Sequence, residues 1–419
     1  MPILTLTWKS LWNRRFTALL TLLAIALSVT LLLGVERIRT EARQSFANTI
    51  SGTDLVVGAR SGSIQLLLYS VFRIGNATNN ISWQSYREIA DRPEVAWTIP
   101  FSLGDSHQGY RVLGTDAAYF DHYLYGDKQH LQFDAGKPFS DLYDAVLGAE
   151  VAEKLHYHLG QEIVIAHGAG KVSFVQHADK PFRVVGILAP TGTPVDRTVH
   201  VSLQAIEAIH IDWRGGSPMP GLHISAEQAR HMNLTPKEIT AFLVGLKSRI
   251  AVFRLQRFIN QYPEEPLSAI LPGVALQELW DMMGLAEKAL LAVSSFVVLV
   301  GLTGMLTVLL AGLNERRREL AILRSVGARP WQIFLLLVGE AGSLALTGAA
   351  SGVALLYLVL IAGRSFIQTR FGLYLGIAPL SPHELALLAV VVVAGILIGM
   401  IPAWRAYRYS LADGMTIRI

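Results

Sequence analysis

Residues 314–334 read Asn314-Glu315-Arg316-Arg317-Arg318-Glu319-Leu320-Ala321-Ile322-Leu323-Arg324-Ser325-Val326-Gly327-Ala328-Arg329-Pro330-Trp331-Gln332-Ile333-Phe334. Five arginines are gathered here, between two apolar runs long enough to span a bilayer. Loops with this much positive charge stay on the cytoplasmic side. Helix-forming residues continue through Val326, Gly327 supplies a stop, and Pro330 a restart. On a helix, Arg317 and Arg324 share one face, while Leu320, Leu323 and Val326 occupy a broad opposite one. The pattern predicts a short amphipathic cytoplasmic helix between two spans, shaped to dock on a partner. A solvated tether that only fixes topology is the plainer alternative.

Outward from this stretch the chain is strongly apolar. With 52% hydrophobic residues over 419 positions and a mean hydropathy of +0.39, an ordinary soluble domain is excluded. Four windows, 16–35, 289–313, 341–363 and 385–404, carry no charged residue and approach or exceed the roughly 20 residues a helix needs to cross the hydrocarbon core. Glu340 precedes the third window and is placed near an interface. The net charge of +4 invites a nucleic-acid reading, but the membrane accounts for it better. Lys9, Arg14 and Arg15 precede the first span, the arginine cluster follows the second, and Arg405 and Arg408 follow the fourth. Both termini are therefore expected inside, in a multi-pass protein of a bacterial inner membrane. Arg37, Arg39 and Arg43 fall on the outer side, where a long loop translocates largely regardless of charge. The first apolar run lacks a small-residue cleavage site and reads as a retained anchor rather than a signal peptide.

The expected fold is a polytopic α-helical membrane protein with four transmembrane helices and a large mixed α/β extracytoplasmic domain between helices 1 and 2. Its divisions are 1–35 (cytoplasmic segment and first span), 36–288 (outer domain), 289–314 (second span) and 315–329 (cytoplasmic helix). There follow 330–363 (third span), 364–384 (outer loop), 385–404 (fourth span) and 405–419 (cytoplasmic tail). Within the outer domain, helices are expected at 36–50, continuing the first span, at 82–91 with Ser82 as cap, and at 148–155. Strands are expected at 162–166, 171–176 and 182–188, separated by Gly168, Gly170, Asp179 and Pro181. A second helical stretch is placed over 237–262, and 276–288 should run into the second span as one helix. Gly348-x-x-x-Gly352 and Gly395-x-x-x-Gly399 permit close helix approach, either between two copies or within one.

Glu315–Glu319 followed by Ala321–Ala328 resembles the cytoplasmic motif of the MacB/FtsX-like permeases, membrane subunits of ABC systems that include the lipoprotein-releasing LolC and LolE. Pro402-Ala403-Trp404-Arg405-Ala406 resembles the segment closing the last span in that family. The outer region is similar to the MacB core domain through Leu147-Gly148 with Ala152 and Leu155, then 160–163 and 184–187. The resemblance implies a permease subunit that couples ATP hydrolysis by a separate ATPase to movement of the outer domain. The outcome would be export or extraction of a small molecule, peptide, lipid or lipoprotein. The alternative within the family is an FtsX-like regulatory scaffold that activates a cell-envelope hydrolase and transports nothing. Glu315, Arg316, Arg317, Arg318, Glu319, Leu323, Arg324 and Gly327 become the expected contacts to the ATPase. The implied partners are an ABC ATPase, a second permease copy (homodimer or heterodimer), a periplasmic adaptor with an outer-membrane channel, and membrane lipids, but no nucleic acid.

The chain's own chemistry is sparse. Gly168-Ala169-Gly170-Lys171 is the nearest approach to a phosphate-binding loop, but Val172 stands at the Ser/Thr position and the upstream glycine is missing. No cofactor is expected in this chain; ATP and Mg would be bound by the partner ATPase. No nucleophile elbow is present, and there are no cysteines. Twelve histidines include His107, His122, His130, His156, His158, His167 and His177. His156 and His158 suggest a metal pair, but His156 ends a helix and no cysteine or spaced carboxylate completes a set, so no metal site is assigned. Finally, 64–72 is too short to cross a bilayer and apolar enough to lie at the outer leaflet or line a lateral opening. Leu66, Leu67, Leu68 and Phe72 are then lipid or substrate contacts; a helix buried in the domain core is the alternative.

Overall fold

The computed structural model describes residues 15–168, 177–214, 217–219, 223–315, 317–371 and 378–408. Lys9, Arg14, Arg316 and the 171–176 strand expectation lie outside these residues. The chain forms two compact units, one of residues Arg43–Met283 and one built from the chain on either side of it.

Among the described residues, the membrane unit contains four helices long and apolar enough to span: Arg15–Asn48, Pro272–Leu313, Pro330–Gly363 and Pro382–Arg408. The first and second are longer than the expected spans, Pro272–Glu315 being a single 44-residue helix. Ile25, Val29, Leu33, Leu302, Met305 and Val391 are buried together between the helices. Leu19, Leu23, Leu27, Phe296, Val300 and Leu397 are exposed, as residues facing lipid must be. Both glycine spacings serve contacts inside the chain. A Cβ on Gly348 would meet Ile25 at 2.8 Å, and one on Gly352 would meet Val29 at 2.8 Å. Thr30 donates its hydroxyl to the Gly352 carbonyl at 2.9 Å, a polar link that close approach makes possible. Gly395 and Gly399 likewise pack on Ala345 and Ala341. These glycines are therefore occupied by the chain's own helices.

Arg37 and Arg39 are not idle charges on an outer loop. Arg39 pairs with Glu36 at 2.6 Å and Glu287 at 3.6 Å, joining the first and second helices. Buried Arg37 donates to the carbonyls of Ala378 and Pro379. Glu384 and Ser381 bond reciprocally at the start of the fourth helix, satisfying amides that have no partner within it. Glu340 is buried.

The α/β unit is built on a mixed sheet. Its strand order is Leu267–Ile270, Leu55–Ala59, Ala241–Leu246, Val95–His107, Tyr110–Thr115, Thr198–Ser202, Asp144–Leu147, Phe182–Leu188 and Phe133–Gly136. Two pairings are parallel, Thr198–Ser202 with Tyr110–Thr115 and Phe182–Leu188 with Asp144–Leu147. Helices form at Trp83–Ala90, where Ser82 caps the Ser85 amide, and at Ala149–Leu155, as expected. The expected 162–166 strand is instead two short pieces, Glu162–Ile163 and Ala166–His167.

Two expectations are corrected. The stretch 237–262 is not one helix: Ala241–Leu246 is a central strand, and the helix is confined to Val252–Asn260. Ala241 and Leu243 enter one core and Phe242 and Val244 another, so both faces are buried and the alternation that marks a strand is lost. The second correction concerns the apolar stretch. Ser63–Ser70 is a helix whose Leu66 and Leu67 are fully buried with Phe72, among Val56, Ile99, Phe101 and Leu243, with Leu68 packed against the same cluster. Leu66, Leu67, Leu68 and Phe72 therefore belong to the core and are not lipid or substrate contacts.

Candidate functional site

The loop between the second and third spans forms a helix, Arg317–Ser325. Its end is defined by backbone bonds: the Gly327 amide donates to the Arg324 carbonyl at 3.1 Å, and the Ala328 amide to the Leu323 carbonyl at 3.0 Å. Gly327 sits at φ +106°, a left-handed stop that glycine reaches without steric cost. Pro330 begins the third span, and the Gln332 side chain accepts from the Arg329 amide at 2.8 Å.

The faces of this helix are divided differently from the sequence expectation. Leu320 is buried with Leu313, Ile333, Leu337, Ala403 and Ala406, and anchors the helix to its own unit. Leu323 and Val326 are exposed, and so are Ile322 and Trp331, which the helical-face argument omitted. Val326 is 84% exposed. Four large apolar side chains on a cytoplasmic-type loop make a surface suited to a protein partner. Of the expected contacts, Glu319, Leu323, Arg324 and Gly327 lie on or beside this surface. Glu315, Arg317 and Arg318 are in helical backbone, and Arg316 is outside the described residues.

The α/β unit holds two further features. A cavity of about 250 Å³ is lined by Tyr69, Arg73, Asn76, Asn80, Leu103 and Arg111 among others. Burial lowers the pKa of Arg73, and burial together with the Arg73 charge lowers that of Arg111. Arg73 stacks over Phe101 at 4.7 Å, and its Nε and Nη1 have no hydrogen-bond partner among the described residues. Two guanidiniums in one cavity favour an anionic guest. The histidines separate into scattered and gathered groups. His156 takes a left-handed conformation that ends its helix, and neither it nor His158 joins a ligand-like cluster among the described residues. His167 and His177 do, together with Asp105 and His210. Burial pushes the Asp105 carboxyl up, but hydrogen bonds from His167 and His210 outweigh it and hold the group at about 2. No local spacing could have revealed this, because strand pairing brings His167 to Asp105 and a distant helix end brings His210.

Four spanning helices and an α/β unit define a polytopic membrane protein, and sequence comparison supplies the family. Residues 18–242 match the MacB-like periplasmic core domain, and residues 291–411 the FtsX-like permease C-terminal domain. The chain belongs to the MacB/FtsX-like ABC permease family. It is 24% identical over 425 residues to the pyoverdine export ATP-binding/permease protein PvdT of Pseudomonas putida, covering 98% of this chain and 58% of that protein. It is 22% identical over 414 residues to the macrolide export ATP-binding/permease protein MacB of Nitrosomonas europaea, covering 96% and 57%. The chain thus spans under three fifths of the length of these relatives. Among solved structures, the periplasmic region of MacB from Actinobacillus actinomycetemcomitans aligns with 55% of this chain and 94% of its own, at a TM-score of 0.33 and 11% identity.

Proposed function

We propose that this chain is the permease subunit of a MacB/FtsX-type ABC system, driven by a separate ATPase and working as a dimer in a bacterial inner membrane. The observation that carries this reading is the exposure of Ile322, Leu323 and Val326 on and beside a helix stopped at Gly327, with Trp331 also exposed at the start of the next helix. ATP hydrolysis is assigned to this separate partner. The arginine distribution supports a cytoplasmic location for both termini and the 315–329 segment. ATPase closure would push on this helix, tilt the spans, and move the periplasmic core domain. Relatives named for export of pyoverdine and of macrolides favour export of a small molecule, delivered through a periplasmic adaptor and outer-membrane channel. Lipid extraction loses its support with the burial of Leu66 and Leu67.

The test is reconstitution in lipid nanodiscs with the ATPase encoded beside the permease. Leu323→Asp with Val326→Asp places charge on the exposed surface and should abolish ATPase binding while leaving the permease folded. Arg317→Glu with Arg324→Glu should weaken it. Unchanged binding and turnover in both variants would reduce the loop to a tether.

A further inference from the structure

We propose that Asp105, His167, His177 and His210 form a binding site for one late first-row divalent cation, with zinc(II) the best fit. This site lies wholly in the α/β unit and does not rest on the permease reading.

Four segments supply the ligands. Asp105 lies on strand Val95–His107, and antiparallel pairing sets His167 directly opposite it. His177 is anchored by its amide to the Ile165 carbonyl at 2.9 Å, and His210 ends helix Leu203–His210. One donor atom from each side chain lies within 4.8 Å of all the others. His167 Nδ1 is 3.2 Å from Asp105 Oδ1 and 3.1 Å from His210 Nε2, and His210 Nε2 is 3.5 Å from Asp105 Oδ1. In a tetrahedron with bonds of roughly 2.0–2.1 Å, neighbouring ligand atoms are about 3.3 Å apart. The three observed separations bracket that value. His177 needs a side-chain adjustment on the order of 1 Å to complete the figure.

Two independent observations point to a missing ligand rather than a finished hydrogen-bond network. His177 is 1% exposed, and its buried Nε2 has no hydrogen-bond partner among the described residues. A buried polar atom left unpaired is costly and rare. The second is the orientation of His210. Its Nδ1 faces the Ile206 carbonyl at 2.9 Å, so Nδ1 is the donating nitrogen and Nε2 is the one directed into the cluster. Carbonyl bonding of the distal nitrogen is how metal-bound imidazoles are held. Trp213 packs against all three imidazoles, 4.5 Å from His177, 5.3 Å from His167 and 5.6 Å from His210.

Three imidazoles and one carboxylate suit zinc, and do not suit magnesium or calcium, which take oxygen shells. The nearby trio Asp179, Asp212 and His223 is a different case, because Lys180 Nζ already sits 2.7 Å from Asp179 and 3.4 Å from Asp212.

The experiment uses the full-length permease in detergent, stripped with chelator and titrated with zinc. One zinc per chain should bind, and cobalt(II) should give the intense visible bands of four-coordination. His177→Ala and Asp105→Asn should each weaken zinc binding by at least about tenfold, while His158→Ala, at an exposed position, should not. Zinc should raise the unfolding temperature of the wild type and not of His177→Ala. Should a variant fail to fold, histidine-directed modification of the wild type decides: zinc should protect His167 and His210 and leave His158 reactive. Absence of stoichiometric binding, a six-coordinate cobalt spectrum, equal affinity in His177→Ala, or no protection would each overturn the proposal.

Discussion

The amide of Ala328 reaches back to the carbonyl of Leu323 across 3.0 Å, and the chain between them passes through Gly327 at φ +106°. A β-branched residue resists that conformation by about 1–2 kcal/mol. Gly327→Val should therefore displace the start of the third span while leaving the apolar surface of Leu323 and Val326 present. The expected result is an ATPase that still binds but is no longer stimulated, with Gly327→Asn intermediate. Wild-type stimulation in the valine variant would separate this turn from coupling.

Leu67 is fully buried between strands and helix in the α/β unit. Leu67→Asp must place a carboxylate where water cannot follow, at a cost of several kcal/mol. The variant should fail to accumulate, and Leu67→Ala should accumulate with stability lowered by about 2–5 kcal/mol. Normal levels and thermal stability for the aspartate variant would return this helix to the surface.

Topology can be read with single cysteines, because the chain has none of its own. Gln129 and Ser325 are both exposed, one in the α/β unit and the other in the Arg317–Ser325 helix. In intact spheroplasts a membrane-impermeant thiol reagent should label Gln129→Cys and spare Ser325→Cys. Labelling at Ser325 would place the arginine-rich loop outside and invalidate the assignment of an ATPase contact there.

His200 is fully buried, with the Val146 carbonyl at Nδ1 and the Tyr119 hydroxyl at Nε2, each 3.3 Å away. Burial first, and the charge of Arg73 second, lower its pKa to about 3. An unfolded histidine titrates near 6.5. Between those values the unfolded chain takes up a proton that the folded chain refuses. The contribution to stability is full above pH 6.5 and falls by about 1.4 kcal/mol per pH unit as pH drops through the window. Denaturant unfolding at pH 7 and pH 5 should show this loss in the wild type, and His200→Gln should lack that component.

The spans were legible because hydropathy summed over twenty residues outweighs any single side chain, and the Arg317–Ser325 helix because Gly327 and Pro330 punctuate it. Its anchoring residue was not. Leu320 and Leu323 look alike in sequence, and only packing against Ile333 and Ala403 decides that one is buried and the other presented. Ala241–Leu246 was misread because a strand covered on both faces shows no period. The same holds for Leu66 and Leu67, whose apolar character fits a membrane surface and a protein core equally. Asp105 and His210 lie far from His167 along the chain, and it is the pairing of Ala166–His167 with Val95–His107 that joins the cluster.

The sheet's strand order bears on how the protein is made. Leu55–Ala59, near the start of the domain, lies between Ala241–Leu246 and Leu267–Ile270, which come at its end. The first strand therefore emerges from the ribosome long before either neighbour exists. At about 5–20 residues per second, the interval is on the order of ten to forty seconds. Throughout it Leu55, Val56 and Val57 offer unpaired backbone and apolar side chains on both faces. The nascent domain must be guarded during that wait, and its sheet can close only as the second membrane helix begins to be synthesised.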